Sequence, residues 1–466
     1  MASTRKLGLF AAVAGALATG CASAPSNTTA GHQHPGVSVS PRHSPPAATP
    51  VITAAAATES PRPTPAQPAT LDALTQLALT SHPRLAQAGF SVEAARGREL
   101  QAGLYPNPTV SVTGDELGDV QGQGGIWAAP YASQEIVTGG KLRLSRAAAS
   151  REVDQAALGL AGQRYALLAS VRQAYFDALA LQRRVEMLTE VLDLIDKAVE
   201  QTNALVEAKQ AARLSLVQLR AEAARVRADR DAAKRELPAA YQRLAAVVGA
   251  PTLPIPAVVG TLEGPLPTYE ADAARQLVLS SHPEVLAAQA AAERARLLLR
   301  RAEVEPIPNV TVGAGYVRQN QNKSDDWTLG VSVPVPLWNR NQGNVYAAKA
   351  QLGEAVQEVS RVQTDLADRL AAALRDYAAA RERSDQYRTK VLPLAKEAYD
   401  ISLTAYKGGQ FEYLQVLQAQ RSLAEANVEY VRTLAEAWRA ASVLSGLVLE
   451  ESWPVARPNA QPPKPE

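Results

Sequence analysis

Apolar and polar residues alternate strictly from Trp327 to Val335, and the alternation stops at Pro336. A period of two residues predicts a strand with one apolar and one polar face. A polar turn at 339–343 follows, and the chain then runs without proline until Pro393, rich in alanine, leucine, glutamine, arginine and glutamate. The pattern predicts a strand that leads directly into a very long helix.

The same junction occurs earlier in the chain, where 127–137 leads through 138–141 into another long helix. The segments LTSHP at 79–83 and LSSHP at 279–283 also repeat. Helical repeat arrays have periods of about 20 to 50 residues, so a period of about 200 indicates duplication of a whole domain. We expect a first repeat at 70–250, a crossing at 251–270, a second repeat at 271–450 and a tail at 451–466.

Each repeat is predicted to contain two long antiparallel helices. We expect them at about 140–208, 214–248, 344–406 and 411–449. Leu188, Leu192 and Ile195 belong to an apolar series with coiled-coil spacing, and Pro238 predicts a bend or a break in the second helix. These seams fit a hollow cylinder of paired helices, and a solid coiled coil would satisfy them equally well.

The predicted strands, including 109–113 and 126–137, can cross a bilayer when tilted, since this takes about ten residues. Strands exposed to lipid must lie in a closed barrel, because an unpaired edge leaves backbone groups without partners. Four strands are too few to close a barrel, so we expect a trimer with twelve strands. Thr328, Gly330 and Ser332 would then face the lumen, and the apolar residues between them would face lipid.

Glu135 falls on the apolar phase of its predicted strand, so we expect it at the rim of the barrel or past a β-bulge. Aromatic side chains are favoured at membrane interfaces. Those predicted near strand ends or on the apolar phase are Trp127, Tyr131, Tyr316, Trp327 and Trp338.

Composition narrows the possible functions. The 48 Lys and Arg residues nearly balance the 46 Asp and Glu residues, so a net charge of +2 gives no indication of a nucleic-acid partner. Apolar residues make up 46% but aromatic residues only 5%, which suits long helices packed through thin seams. The sequence contains no phosphate-binding loop, nucleophile elbow or metal-ligand cluster, so we expect neither an enzyme nor a cofactor.

Residues 1–20 predict a signal peptide, because a charged start precedes an apolar run and small residues. Cys21, the only cysteine, follows directly and resembles the acylated cysteine of a bacterial lipobox. The alternative is an ordinary signal peptide with an incidental cysteine. Residues 21–69 are rich in proline, alanine, serine and threonine and predict a disordered tether.

Two groups of histidines are candidates for chemistry. His32 and His34 lie in the tether, where they would form at most a loose metal-collecting site, since a disordered pair cannot fix coordination geometry. We favour a plain polar linker there. His82 and His282 each precede proline at a helix boundary, and we expect them to be structural.

Residues 70–450 resemble the TolC-type outer-membrane efflux family in their duplicated halves, each with His-Pro, Pro-Asn, two strands and a helical hairpin. The segments 133–141 (SQEIVTGGK) and 335–343 (VPLWNRNQG) are similar to the CzcC-like heavy-metal branch of that family. The resemblance implies a mainly helical trimer with a twelve-stranded outer-membrane barrel continued by a periplasmic helical barrel.

The resemblance also implies a function and partners. Such a channel is a passive exit duct that docks on a periplasmic adaptor protein and an inner-membrane pump of the resistance-nodulation-division (RND) class. It would lie in the bacterial outer membrane, anchored by lipid and extending into the periplasm. The branch implies heavy-metal cations as the exported substrate, and export of drugs or other small molecules by the same fold stays open.

In that family the hairpin turns form the periplasmic aperture and contact the adaptor, which implies this role for 207–214 and 406–411. The residues concerned are Lys209, Tyr406, Gly408, Gly409, Phe411, Gln415 and Gln418. Gln415 and Gln418 stand where relatives have a ring of aspartates, so a neutral ring should attract cations less strongly. Ordinary hairpin packing is the alternative role for all of these residues.

A second class of function is a periplasmic scaffold or adaptor that does not conduct ions. Coiled-coil hairpins alone would suit such a protein. Paired amphipathic strands before each hairpin favour the duct, because an adaptor has no use for them.

Overall fold

The structure is a computed structural model that describes residues 69–115, 125–209, 212–320, 322–408, 410 and 413–453. Within these residues the first half contains α1 (Leu71–Ser81), α2 (Pro83–Ala102), β1 (Thr109–Asp115), β2 (Ile126–Ile136), α3 (Lys141–Glu207) and α4 (Arg213–Val248). The second half contains α5 (Ala271–Ser281), α6 (Pro283–Glu303), β3 (Val310–Gln319), β4 (Ser324–Ser332), α7 (Gln342–Gln386), a π-helical turn (Tyr387–Val391), α8 (Leu392–Lys407) and α9 (Tyr413–Leu447). The fold is mainly helical with a small antiparallel sheet, as predicted.

The predicted long helices are confirmed to within a few residues. At 67 residues, α3 is about 100 Å long, since an α-helix rises 1.5 Å per residue. Its predicted seam is also confirmed, because Leu188, Leu192 and Ile195 are buried against Leu219 and Val226 of α4. A helix of this length is stabilised by packing along its sides rather than by its own propensity.

Two prolines lie inside the long helices. α4 runs unbroken through Pro238, where the sequence allowed a break. Buried Ala233 and Leu244 on either side hold the helix in place through its packing. The other long helix, expected from about 344 to 406, contains a π-helical turn that ends two residues before Pro393. Proline has no N–H to donate to the preceding turn, and a π turn accommodates that loss.

The strands differ from the pattern at their ends. β4 stops at Ser332, although the alternation continues to Val335, because Pro334 cannot donate a ladder hydrogen bond. The four strands form one sheet in the order β1-β2-β3-β4, and every neighbouring pair is antiparallel. β1 and β4 are therefore the edges of the sheet within the described part of the chain.

His82 and His282 have the structural role that the sequence predicted. Each caps the N-terminus of a helix, and its Nδ1 accepts a hydrogen bond from the backbone N–H of the residue two positions later. Burial lowers the pKa of both imidazoles, which favours the neutral form that this hydrogen bond needs.

One core joins the two repeats around α3. Tyr175 and Phe176 of α3 pack with Trp438 of α9, and the rings of Phe176 and Trp438 stack at 4.5 Å between centroids. The crossing segment contributes Val258 and Leu262 to the same core. Because these side chains come from both repeats, the halves fold as one described body.

Arg172 connects the segment that follows α9 to this core through hydrogen bonds. It is 1% exposed, and its guanidinium donates to Ser445 Oγ at 2.8 Å and to the carbonyls of Glu450 and Glu451 at 2.9 and 2.8 Å. The same group lies 4.5 Å from the ring centroid of Trp453. A buried cation is tolerated here because three acceptors and an aromatic face surround it.

Candidate functional site

The sheet has one apolar face that is exposed. Trp327, Leu329 and Val331 of β4 are 80%, 84% and 72% exposed. The register places further exposed apolar residues on the same face of the other strands: Val110, Val112, Trp127, Ile136 and Val312. Large apolar side chains this exposed favour contact with something other than water.

A β-bulge in β2 changes which residues lie on that face. The pairing with β3 shifts between Ala128 and Tyr131, so one extra residue stands in β2. The residues past the bulge therefore exchange faces, and Glu135 lies opposite Thr311 on the face of Thr328. The prediction that Glu135 lies past a bulge is confirmed.

Tyr131 also moves to that second face, so its predicted place at a strand end or on the apolar phase is wrong. Its ring lies across the backbone of β3 and reaches β4. A Cβ atom placed on Gly315 would come within 2.7 Å of the ring, and one on Gly330 within 2.9 Å of the Tyr131 hydroxyl. These glycines are needed because no larger residue leaves room for the ring.

Asn309 holds the end of β2 and the start of α3 together. Its Oδ1 accepts from the backbone N–H of Thr138 at 3.2 Å and from Nζ of Lys141 at 2.9 Å. Its Nδ2 donates to Glu135 at 2.6 Å. The Asn309 side chain thus forms hydrogen bonds with the turn at Thr138, with Lys141 at the start of α3 and with Glu135 at the end of β2.

Lys141 is the cation of this junction and is 3% exposed. Burial lowers the pKa of its ammonium, Arg301 lowers it further, and Glu135 opposes both. A carboxylate oxygen of Glu305 lies 3.8 Å away. The junction is therefore a satisfied structural network between the two repeats rather than an open ligand site.

The two hairpin turns carry most of the residues that the resemblance singled out. Lys209 has a positive φ of 59° directly after α3, and Gly408 follows α8 with φ −81°. Tyr406 is half-buried in the last turn of α8. Gly409 and Phe411 lie outside the described residues, as do Cys21, His32 and His34.

Gln415 and Gln418 are exposed on α9. Gln418 lines a groove of about 690 Å³ between α3, α4 and α9, whereas Gln415 lies outside its lining. The floor of this groove is apolar, and the charged residues Glu222, Arg225 and Glu425 form part of its wall. Among the predicted aperture residues that the structure describes, Lys209, Tyr406 and Gly408 lie at the hairpin turns, Gln418 lies on the groove wall, and Gln415 lies on α9 outside the groove.

A network of ion pairs joins α4 to α9 along this wall. Arg225 approaches Glu222 at 2.6 Å and Glu425 at 3.4 Å, and Arg421 approaches Glu425 at 2.9 Å. The hydrogen bond from Arg225 lowers the pKa of Glu222. No pattern in the sequence predicts this network, because Arg225 and Glu425 are 200 residues apart and only the fold brings them together.

The described residues contain no group of three or more His, Cys, Asp or Glu side chains that could hold a metal ion. Among the described helices, none is both long enough and apolar enough to span a membrane.

Similarity to known proteins identifies the family of this chain. A family model described as "Outer membrane efflux protein" matches residues 74–250 and 274–447. The cobalt-zinc-cadmium resistance protein CzcC of Cupriavidus metallidurans is 28% identical over 385 residues, which cover 82% of this chain and 90% of CzcC. The pyoverdine export outer membrane protein OpmQ of Pseudomonas putida is 25% identical over 398 residues, covering 78% of this chain and 82% of OpmQ.

A solved structure shows the same fold. The crystal structure of CusC superposes with a TM-score of 0.70 at 18% identity, covering 81% of this chain and 91% of that chain. The family predicted from the order of motifs is confirmed by a match over most of the chain. This chain belongs to the outer membrane efflux protein family.

Proposed function

We propose that the protein is the outer-membrane channel of a tripartite RND efflux pump and serves as a passive exit duct. The exposed apolar face of the sheet carries this proposal. Exposure of the Trp327, Leu329 and Val331 side chains to water is unfavourable, whereas the hydrocarbon core of a bilayer accommodates them. The opposite face, with Ser332 and Thr328, suits an aqueous lumen.

The open edges of the sheet support a homotrimer. β1 and β4 each lack a partner on one side within the described chain, and lipid offers no hydrogen bonds to an open edge. Three copies would supply twelve strands and leave no open edge. The long helices would continue below this barrel into the periplasm.

The repeats at 70–250 and 271–450, joined by the crossing at 251–270, supply the barrel and helices of each subunit in this proposal. Residues 1–20 act as the signal peptide. The 21–69 tether connects the body to an acyl chain on Cys21, which adds to the attachment that the barrel provides.

The hairpin turns are the proposed contact with the periplasmic adaptor, which in turn joins the inner-membrane RND transporter. Lys209, Tyr406, Gly408, Gly409 and Phe411 would lie at this end of the channel. The exposed amides of Gln415 and Gln418 carry no charge. We therefore assign substrate selection and energy to the pump rather than to the duct.

Heavy-metal cations are the proposed substrate. The match to CzcC over most of both chains supports this choice, since that protein is named for resistance to cobalt, zinc and cadmium. A small-molecule duct is the second candidate, because OpmQ, named for pyoverdine export, matches a similar share of the chain. A scaffold that does not conduct ions is the third, and the exposed apolar sheet face argues against it.

Conductance in planar bilayers tests the duct. We expect discrete single-channel steps from the purified full-length protein, while a scaffold would produce none. Growth of a deletion strain on cobalt, zinc, cadmium and dyes separates the two substrate classes. Sensitivity to metals alone supports the metal duct, and sensitivity to dyes alone would replace it with the small-molecule duct.

A further inference from the structure

Tyr131 is the only aromatic residue on the polar face of the described strands. The other aromatic side chains of these strands lie on the apolar face: Trp127, Tyr316 and Trp327. The residues that surround Tyr131 on its own face are small, and they include Ser111, Ser133, Thr328 and three glycines. One large ring on a face of small side chains has the greatest effect on the space beside that face.

The ring of Tyr131 lies along the polar face and does not project from it. A Cβ atom placed on Gly313 would overlap the Tyr131 hydroxyl and come within 2.6 Å of the ring atom Cζ. The distance would be 2.7 Å from Gly315 to the ring atom Cδ2 and 2.9 Å from Gly330 to the hydroxyl. Side chains of strands usually stand roughly perpendicular to the sheet. The three glycines, here called the glycine bed, therefore permit an unusual orientation of the ring.

We propose that Tyr131 determines the width of the lumen, because the glycine bed lets its ring lie along the wall of the duct. This inference rests on the proposed trimeric duct, in which the polar face lines the lumen. A different staggered rotamer would take the ring off the glycine bed and point it into the lumen. Threefold symmetry puts the three copies of Tyr131 at one level of the barrel.

The dimensions of the proposed barrel make these three rings significant. Twelve strands about 4.8 Å apart and tilted by about 40° give a circumference of about 75 Å and a backbone radius of about 12 Å. The side chains on the wall reduce the free radius further. Three tyrosine rings that project from the wall at one level would thus fill a substantial part of the lumen, whereas three flat rings fill little of it.

The glycines differ in what an added methyl group would displace. The three atoms nearest to a Cβ on Gly313 all belong to the Tyr131 side chain, so Gly313→Ala should move the ring rather than the backbone. A Cβ on Gly330 would meet only the hydroxyl, so Gly330→Ala should move the ring less. Gly315 is less suitable for substitution, because its Cβ would also lie 3.0 Å from the Cα atom of Tyr131.

Thiol labelling from outside intact cells measures the width of the lumen. Ser324 and Ser332 lie on the polar face of β4, and the ring of Tyr131 lies between them, with Ser324 next to the β3–β4 turn. Ser324→Cys and Ser332→Cys are made separately in the full-length protein. The labelling rate of a small methanethiosulfonate is compared with the rates of progressively wider polar maleimides. The protein without an introduced cysteine controls for labelling of Cys21.

Gly313→Ala should slow the wide maleimides severalfold at Ser332→Cys, because the displaced ring narrows the path from outside. The small reagent at Ser332→Cys and every reagent at Ser324→Cys should retain their rates. Gly330→Ala should give a smaller effect. Gly343→Ala should give none, since a Cβ at that position would meet no atom within 4 Å. Adding Tyr131→Ala to Gly313→Ala should restore the rates, because no ring is then left to project.

Each other result has a defined meaning. Unchanged rates of the wide maleimides in Gly313→Ala would overturn the role of Tyr131 but leave the duct standing. Slow labelling that Tyr131→Ala does not restore would also overturn it, because the added methyl group would then act through the wall itself. If Gly313→Ala does not assemble, Gly330→Ala decides the question in the same way. If the small reagent labels Ser324→Cys but never Ser332→Cys, the polar face lines no lumen, and the proposed duct fails as well.

Discussion

The two repeats have the same order of elements, yet the structure encloses the long helix of the first and leaves much of the second exposed. α3 packs against helices of both repeats and has buried residues between Lys141 and Thr202, most of them at or after Leu167. In α8 none of the residues is buried within the described chain, and Leu394 and Ile401 are 64% and 56% exposed. The strand-to-helix junctions differ in the same way, since Lys141 is buried and Arg340 is exposed.

This difference has a physical cause in the position of each repeat within one chain. The last strand and helices of the first repeat meet the start of the second repeat, which covers them. The corresponding parts of the second repeat, α8 among them, are not covered by other helices within the described chain. Exposed apolar residues of α8 are therefore consistent with coverage by a neighbouring subunit in the proposed trimer.

The largest effect is expected at Arg172, in the enclosed part of α3. Arg172→Ala would leave the carbonyls of Glu450 and Glu451 without a donor and remove the contact with Trp453. Hydrogen bonds from a charged donor contribute about 1.5 to 3 kcal/mol each, and the Arg172 guanidinium donates three of them, so we expect a loss of about 4 kcal/mol in the free energy of unfolding. Denaturant unfolding followed by circular dichroism would measure it.

The matched control for Arg172 is Arg375 on α7. Its side chain is 73% exposed and pairs with the neighbouring Asp376. Arg375→Ala should change the free energy of unfolding by less than about 0.5 kcal/mol. Equal losses at both positions would mean that enclosure does not distinguish the repeats.

The second largest effect on stability is expected for a leucine of α3, and a leucine of α8 is its counterpart in the second repeat. Leu192 of α3 is 2% exposed, and Leu192→Ala should cost about 3 kcal/mol through lost burial and the cavity left behind. Leu394→Ala should leave subunit stability nearly unchanged, because that side chain is exposed in the single chain. A lower fraction of trimer in Leu394→Ala would show that a neighbour covers it, and an unchanged fraction would contradict that coverage.

Alkaline pH should weaken the fold through buried tyrosines, and Tyr175 and Tyr377 provide one test in each repeat. Tyr175 donates to the carbonyl of Val259, and Tyr377 donates to the carbonyl of Pro267. Burial raises the pKa of each hydroxyl to about 12, so the folded state retains a proton that the unfolded state loses near pH 10. Stability is therefore complete below pH 10 and falls as the pH rises to about 12, by about 2 to 3 kcal/mol for each tyrosine.

Unfolding midpoints between pH 8 and 12 would measure this loss. Tyr175→Phe and Tyr377→Phe remove the titrating groups and should each make the midpoint less dependent on pH over about pH 10 to 12. The phenylalanine variants also lose one hydrogen bond, which lowers stability at neutral pH by about 1 kcal/mol. A pH dependence identical to that of the unchanged protein would contradict the assignment.

The sequence predicts the helices and strands because their periods of burial are regular over many residues. Leu188, Leu192 and Ile195 repeat with coiled-coil spacing, and the alternation from Trp327 marks the exposed face correctly. Duplication adds further support, because each element is seen twice.

What the sequence does not predict depends on contacts between distant residues or on small local shifts. One extra residue in β2 moves Tyr131 to the other face; the phase of Glu135 indicates a rim position or a bulge but does not show where in the strand the extra residue stands. Arg172 lies in a helix among many arginines, and only the fold brings Trp453 to it. The same holds for the candidate site. The ends of the predicted helices give the positions of the hairpin turns, whereas the ion pairs along the groove depend on contacts that the sequence does not predict.

The smallest effect is expected where the two repeats meet across the groove, at Arg225 and Glu425. Both side chains are about half exposed, so the 3.4 Å ion pair should contribute about 0.5 kcal/mol in a double-mutant cycle of Arg225→Ala and Glu425→Ala. Its importance would lie in holding α4 and α9 together rather than in total stability. The pair Arg432 and Glu436, within α9 alone, is a suitable control at 3.5 Å. If single-channel conductance changes in Arg225→Ala but not in Arg432→Ala, the contact between repeats limits the opening of the duct, whereas equal conductance in both would restrict the pair to local packing.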